Sequence, residues 1–75
     1  MILPTKHISP ENSLLGVSAL VLKNLNKPRT ITSLWEDVRK LTQVGTYQRF
    51  ILSLDLLYLM EVIELEEGLL RRVKR

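Results

Sequence analysis

TYQRFILSLDLLYLMEVIELEEGLLRRV, residues 46–73, holds a helix-length run followed by a short hairpin, and its reading decides the fold. Thr46 is a fair N-cap, and the run from Tyr47 to about Glu61 is free of Gly and Pro. Val62–Leu65 and Leu69–Val73 are apolar runs separated by the acidic turn Glu66-Glu67-Gly68, which reads as strand, turn, strand. The switch from helical spacing to a β-hairpin marks the C-terminal third of the chain.

Upstream, Ser9-Pro10-Glu11 carries a helix start: Ser9 to cap, Pro10 at the first helical position and Glu11 at the positive end of the dipole. Leu14, Leu15, Val17, Leu20, Val21 and Leu25 continue that helix. It stops near Asn24–Asn26, because a residue ahead of Pro28 avoids the helical region. Pro28–Ile31 is short and extended, and Ile31 is expected to add a third strand to the hairpin, which alone would be marginal in water. A second helix begins at Thr32 or Ser33, with Ser33 and Glu36 at capping-box spacing and Leu34, Trp35, Val38 and Leu41 as its apolar stripe. Thr42–Gly45 is a turn. The order is helix, short strand, helix, helix, hairpin. That is a mainly α fold with a small β-hairpin (α+β), in winged helix-turn-helix order, with residues 62–74 as the wing. The expected organisation is one domain over residues 1–75, with 1–9 as an extended N-terminal segment.

Composition limits the chemistry. The 75 residues include 11 Lys+Arg and 8 Asp+Glu, a formal charge of +3, with 45% hydrophobic residues. That balance is globular rather than disordered. The absence of Cys removes disulfides, thiolate zinc sites and a thiol nucleophile, and a single His (His7) rules out a multi-imidazole metal site. The glycines Gly16, Gly45 and Gly68 are isolated, so there is no phosphate-cradling loop. No nucleophile and base are paired by spacing. The expectation is no enzyme, no cofactor and no metal. Residues 1–7 lack a basic segment followed by a long apolar run, and no stretch reaches the roughly 20 apolar residues of a membrane span, so a cytoplasmic protein is expected. A domain of this size buries only about 60–65% of its unfolded surface, which favours support from a partner.

The third helix carries the functional signal. At 100° per residue, Leu54 and Leu57 fall within about 40° of Phe50 and form a core stripe. The opposite side carries Leu52, Leu56 and Leu59 with Asp55 beside them, and Gln48 and Arg49 are its only base-reading side chains. A helix that reads the major groove needs exposed polar and basic residues there, and Asp55 and Glu61 repel phosphate. Two readings of the Leu patch stand: a cover from within the chain, for which Ile2, Leu3 and Ile8 are available, or a partner surface. The candidate partner-binding residues are Ile2, Leu3, Leu52, Leu56, Leu59 and Met60. On the first helix, Gly16 reads either as a point of close backbone approach or as a tolerated glycine. Arg71, Arg72, Lys74 and Arg75, four of the 11 positive charges, either pair with Glu64, Glu66 and Glu67 across the hairpin or touch phosphate non-specifically. With Arg49 they are the candidate nucleic-acid contacts. Lys27 and Arg29 add little to this reading.

Leu3–Ser9, Ser13–Gly16, Thr30–Trp35 and the run Phe50–Leu59 together resemble the sixth class of middle components of the ABC three-component systems, prokaryotic conflict systems related to Lamassu. The resemblance spans nearly the whole chain through short, mostly apolar motifs. It implies a non-catalytic adaptor between an SMC-like ABC ATPase that senses foreign DNA and an effector carrying a nuclease or other toxic domain. It brings no catalytic residues. One departure is Met60-Glu61, where a small residue or Gly would be expected to end the third helix. The alternative function is a small winged-helix transcriptional regulator reading DNA through Gln48, Arg49, Arg71 and Arg72, and a third is an antitoxin-like regulator that does both.

Overall fold

The computed structural model describes residues 13–74. Ile2, Leu3, Ile8, the Ser9-Pro10-Glu11 helix start and Arg75 lie outside them. The elements in chain order are α1 (Leu14–Asn24), α2 (Ile31–Val38), α3 (Tyr47–Leu59), β1 (Ile63–Glu66) and β2 (Leu69–Arg72). The fold is α+β: three helices followed by one antiparallel hairpin.

α1 begins later than its sequence suggests. Ser13 is extended (φ −75°, ψ 160°) and its Oγ accepts the Gly16 N–H at 3.0 Å, so the first helical residue is Leu14. Gly16 is half-buried there, with its N–H in the cap. The helix ends at Asn24 as the approaching Lys27-Pro28 requires. Its buried face is Val17, Ser18 and Val21, with the cap residue Leu25 also buried.

α2 starts at Ile31, one or two residues before the expected point. Thr30 is its cap, accepting the Ser33 N–H on Oγ1 at 3.0 Å. The Ser33–Glu36 capping box is therefore not formed, and Glu36 pairs with Arg39 instead. The expected third strand at Ile31 is also corrected, because Ile31 is already helical. A single antiparallel bridge stands two residues earlier, where Arg29 and Leu70 exchange backbone bonds of 3.0 and 2.8 Å. Leu34 and Val38 are fully buried, with Trp35 and Leu41 packed at the core edge.

Thr46 caps α3, accepting the Arg49 N–H at 3.2 Å. The turn before it contributes Val44 to the core, a role its loop-like neighbours conceal. α3 lays Phe50, Ser53, Leu54 and Leu57 against α1, which is its main helical neighbour. Ser18 and Ser53 are buried side chains on the two facing helices. The Ser18 hydroxyl donates to the Leu14 carbonyl at 2.8 Å and lies 3.5 Å from the Ser53 carbonyl oxygen on α3. A side-chain oxygen this close to a neighbouring backbone means the two helices approach closely. Larger side chains at these positions would hold them apart.

α3 ends at Leu59 rather than Glu61, in a motif that satisfies its last carbonyls. The Val62 N–H reaches the Leu57 carbonyl at 3.2 Å and the Glu61 N–H reaches Tyr58 at 2.9 Å, with Glu61 at φ 60°. This is the conformation in which glycine is usual, so Glu61 occupies a glycine-type position. The chain then turns straight into β1.

The hairpin pairs Ile63 with Arg72, Glu64 with Arg71, Leu65 with Leu70 and Glu66 with Leu69. Its two-residue turn has both central residues at positive φ, Glu67 at 53° and Gly68 at 80°, the type I′ geometry that matches strand twist. Ile63 and Leu70 point into the core and seal it below α3.

Candidate functional site

α3 has two faces of opposite character that are both apolar. Phe50, Leu54 and Leu57 are buried. One half-turn away, Leu52 is 45% exposed and Leu59 is 81% exposed, and Met60 at the cap is 49% exposed. Leu56 lies between them and is half-buried. Positions 52, 56 and 59 follow the spacing that aligns side chains along one helix face. Leaving a Leu in water forgoes about 1.5–3 kcal/mol of burial each. A cluster of such residues along one helix is the usual mark of an association surface.

The polar groups on this helix are few. Asp55 is exposed within the Leu stripe, and Gln48 is exposed at the N-terminal end. Arg49 is half-buried, its guanidinium alongside the Gly45 backbone. At the same end Tyr47 stacks edge-on to Trp35 with centroids 5.0 Å apart, and Trp35 lies 5.2 Å from Phe50. This aromatic cluster ties the start of α3 to α2 and fixes how the outward face is presented.

The hairpin cations have partners within the chain. Arg71 pairs with Glu64 directly across the hairpin and with Glu66 at 2.6 Å. Arg72 donates to the Leu22 carbonyl at 2.7 Å and the Leu25 carbonyl at 3.0 Å, capping the negative end of α1. Lys74 is exposed. Among the described residues no group of three His, Asp or Glu side chains is placed to hold a metal ion, and no helix is long and apolar enough to cross a membrane.

Arg29 does more than its loop position suggests. Its side chain is only 15% exposed, and it bonds the Ser33 hydroxyl at 2.7 Å, the Ser33 carbonyl at 3.0 Å and Asp37 at 2.7 Å, while reaching the Asn24 carbonyl at 3.4 Å. It thus joins the end of α1 to α2, and its backbone joins both to β2. Ser33 and Asp37, four residues apart on α2, share one side of that helix, and Arg29 reaches both from the connection before it, which no periodicity of the sequence records.

Residues 3–73 match the family model described as ABC-three component (ABC-3C) system Middle Component 6. The chain belongs to this family. The match takes in every segment that carried the resemblance, from Leu3 to Leu59, and continues through the hairpin. No curated protein and no solved structure matches the chain. As an ABC-3C middle component, it works with other components of such a system.

Proposed function

We infer that the chain is a non-catalytic adaptor of a prokaryotic defence complex, docking onto an SMC-like ABC ATPase or its nuclease effector through the outer face of α3. The observation that carries this is the pair Leu52 and Leu59, exposed on the side of α3 opposite Phe50, Leu54 and Leu57. Leu56 and Met60 complete the docking face; Ile2 and Leu3, the remaining candidates from the sequence, lie outside the described residues. The helix order, with the Arg29–Leu70 bridge holding the hairpin against the α1–α2 connection, supports a winged-helix arrangement of the single domain. In that arrangement α3 stands where a DNA reader would stand, yet it offers Leu52, Asp55 and Leu59 in place of polar readers. Protein association fits those side chains better than base recognition.

Leu59 is the position at which to test this, because it is far more exposed than Leu56. Co-expression of the chain with the other components of its system, followed by pull-down, should recover a stable complex. Leu59→Glu should abolish recovery while circular dichroism stays unchanged. Recovery equal to wild type would remove α3 as the docking face. A lone monomer or homodimer that shifts one duplex sequence in preference to others would favour the regulator instead.

A further inference from the structure

A second surface lies away from the α3 face. The loop Leu25–Pro28 and the end of β2 form the two walls of a groove, with Lys27 on one wall and Arg71, Arg72 and Lys74 on the other. Among the described residues no carboxylate and no aromatic ring lines it, and Glu64 lies in the adjoining hollow beside Arg71. The walls are fixed relative to one another: Arg29 and Leu70 exchange two backbone hydrogen bonds directly beyond Pro28, and Arg72 ties its strand to the end of α1. Pro28 further restricts the loop backbone. The residue after β2 is held as well, since the Val73 N–H bonds the Val62 carbonyl at 3.0 Å.

We propose that this groove binds the phosphodiester backbone of a nucleic acid, independently of sequence. Cations on both walls of a preformed groove suit a charged strand running between them, and a fixed groove lowers the ordering cost of binding. Arg71 contributes least, because Glu64 and Glu66 already neutralise it. Lys27 and Lys74 are exposed and, among the described residues, have no ion-pair partner, and Arg72 keeps N–H groups beyond the two that bond α1. Without an aromatic ring among the described residues that line it, the groove lacks the platform on which unpaired bases are most often stacked and read. An acidic protein segment would share the charge but would normally seek an apolar anchor. Here Leu25 is buried and Val73 only partly exposed, which leaves Pro28 as the one exposed apolar residue of the lining. The proposal stands on this groove alone and does not depend on what docks at α3.

The test is fluorescence anisotropy of the full chain with a labelled duplex and a labelled single strand of scrambled sequence, titrated at several salt concentrations. Three contacting cations predict a slope of about −2.7 in log affinity against log salt for duplex, a loss of roughly 40-fold between 50 and 200 mM. The combined variant Lys27→Glu/Lys74→Glu should bind at least about tenfold more weakly with a shallower slope, and Lys27→Ala/Lys74→Ala should follow it in the same direction. Leu59→Glu should bind as wild type, which separates this surface from the adaptor face. Tighter binding of duplex or of single strand would say which backbone the groove prefers, and either supports the proposal. No binding at low salt, unchanged binding by both lysine variants, or equal competition by polyglutamate would overturn it.

Discussion

Glu61 carries a backbone conformation that most side chains resist. At φ 60° its Cβ crowds the preceding carbonyl, a conformation glycine takes without that penalty. The two hydrogen bonds that close α3, from Val62 to Leu57 and from Glu61 to Tyr58, fix that conformation in place. Glu61→Gly should therefore stabilise the chain by about 0.5–1 kcal/mol, with a rise of several degrees in Tm for a domain this size. Thermal melting by circular dichroism checks it, and an unchanged or lowered Tm would mean that the Glu61 side chain contributes more than its backbone strain costs. The departure from a small residue at this position thus has a local consequence, and it leaves the helix end intact. Glu67 meets the same constraint in the hairpin turn, where Gly68 relieves only the second of the two positive-φ positions.

At the scale of elements, the two adjacent hairpin arginines contribute differently although their sequence context is nearly the same. Arg71 forms surface ion pairs with exposed carboxylates, which are worth about 0–1 kcal/mol. Arg72 satisfies two carbonyls at the end of α1, where losing a charged donor costs roughly 1.5–3 kcal/mol. Arg72→Ala should lower the denaturation midpoint clearly and Arg71→Ala barely, measured by urea titration. Equal effects would show that the hairpin is held to α1 by its apolar contacts alone. The elements themselves were largely legible: Thr46 as cap, Phe50, Leu54 and Leu57 as core, the Gly68 turn, and Pro28 ending α1. Contacts between elements were not. Ser33 sits at capping spacing with Glu36, but Thr30 caps the helix and the Ser33 hydroxyl is bonded to Arg29. Ser18 and Ser53 are polar residues buried because two helices come close, which no one-dimensional periodicity records. Val44 reads as a turn residue, yet it is fully buried in the core. The outward stripe of Leu52, Leu56 and Leu59 was legible because helix geometry alone separates it from the Phe50 face. What meets that stripe is not contained in helix geometry.

The whole molecule combines a small core with an apolar surface it does not use for its own folding. Eleven hydrophobic side chains form the buried cluster among the described residues, drawn from all three helices, both strands and two connecting turns. Leu59 belongs to none of it, so Leu59→Glu should change stability by no more than about 0.5 kcal/mol. A residue that is dispensable for folding yet costly to expose points toward association, and membership of the ABC-3C middle components means that the chain works with other components of a system. The basic groove between the Leu25–Pro28 loop and β2 lies on a separate part of the surface, so nucleic-acid backbone and protein partner would not compete for one site. The most direct measurement of the central claim is site-specific photo-cross-linking in the co-expressed complex, with a photoreactive phenylalanine derivative in place of Leu59 or, as a control, of the exposed Lys40 on the loop after α2. The account predicts a cross-link to another component of the system from position 59 and none from position 40. A cross-link from position 40 with none from position 59 would contradict it.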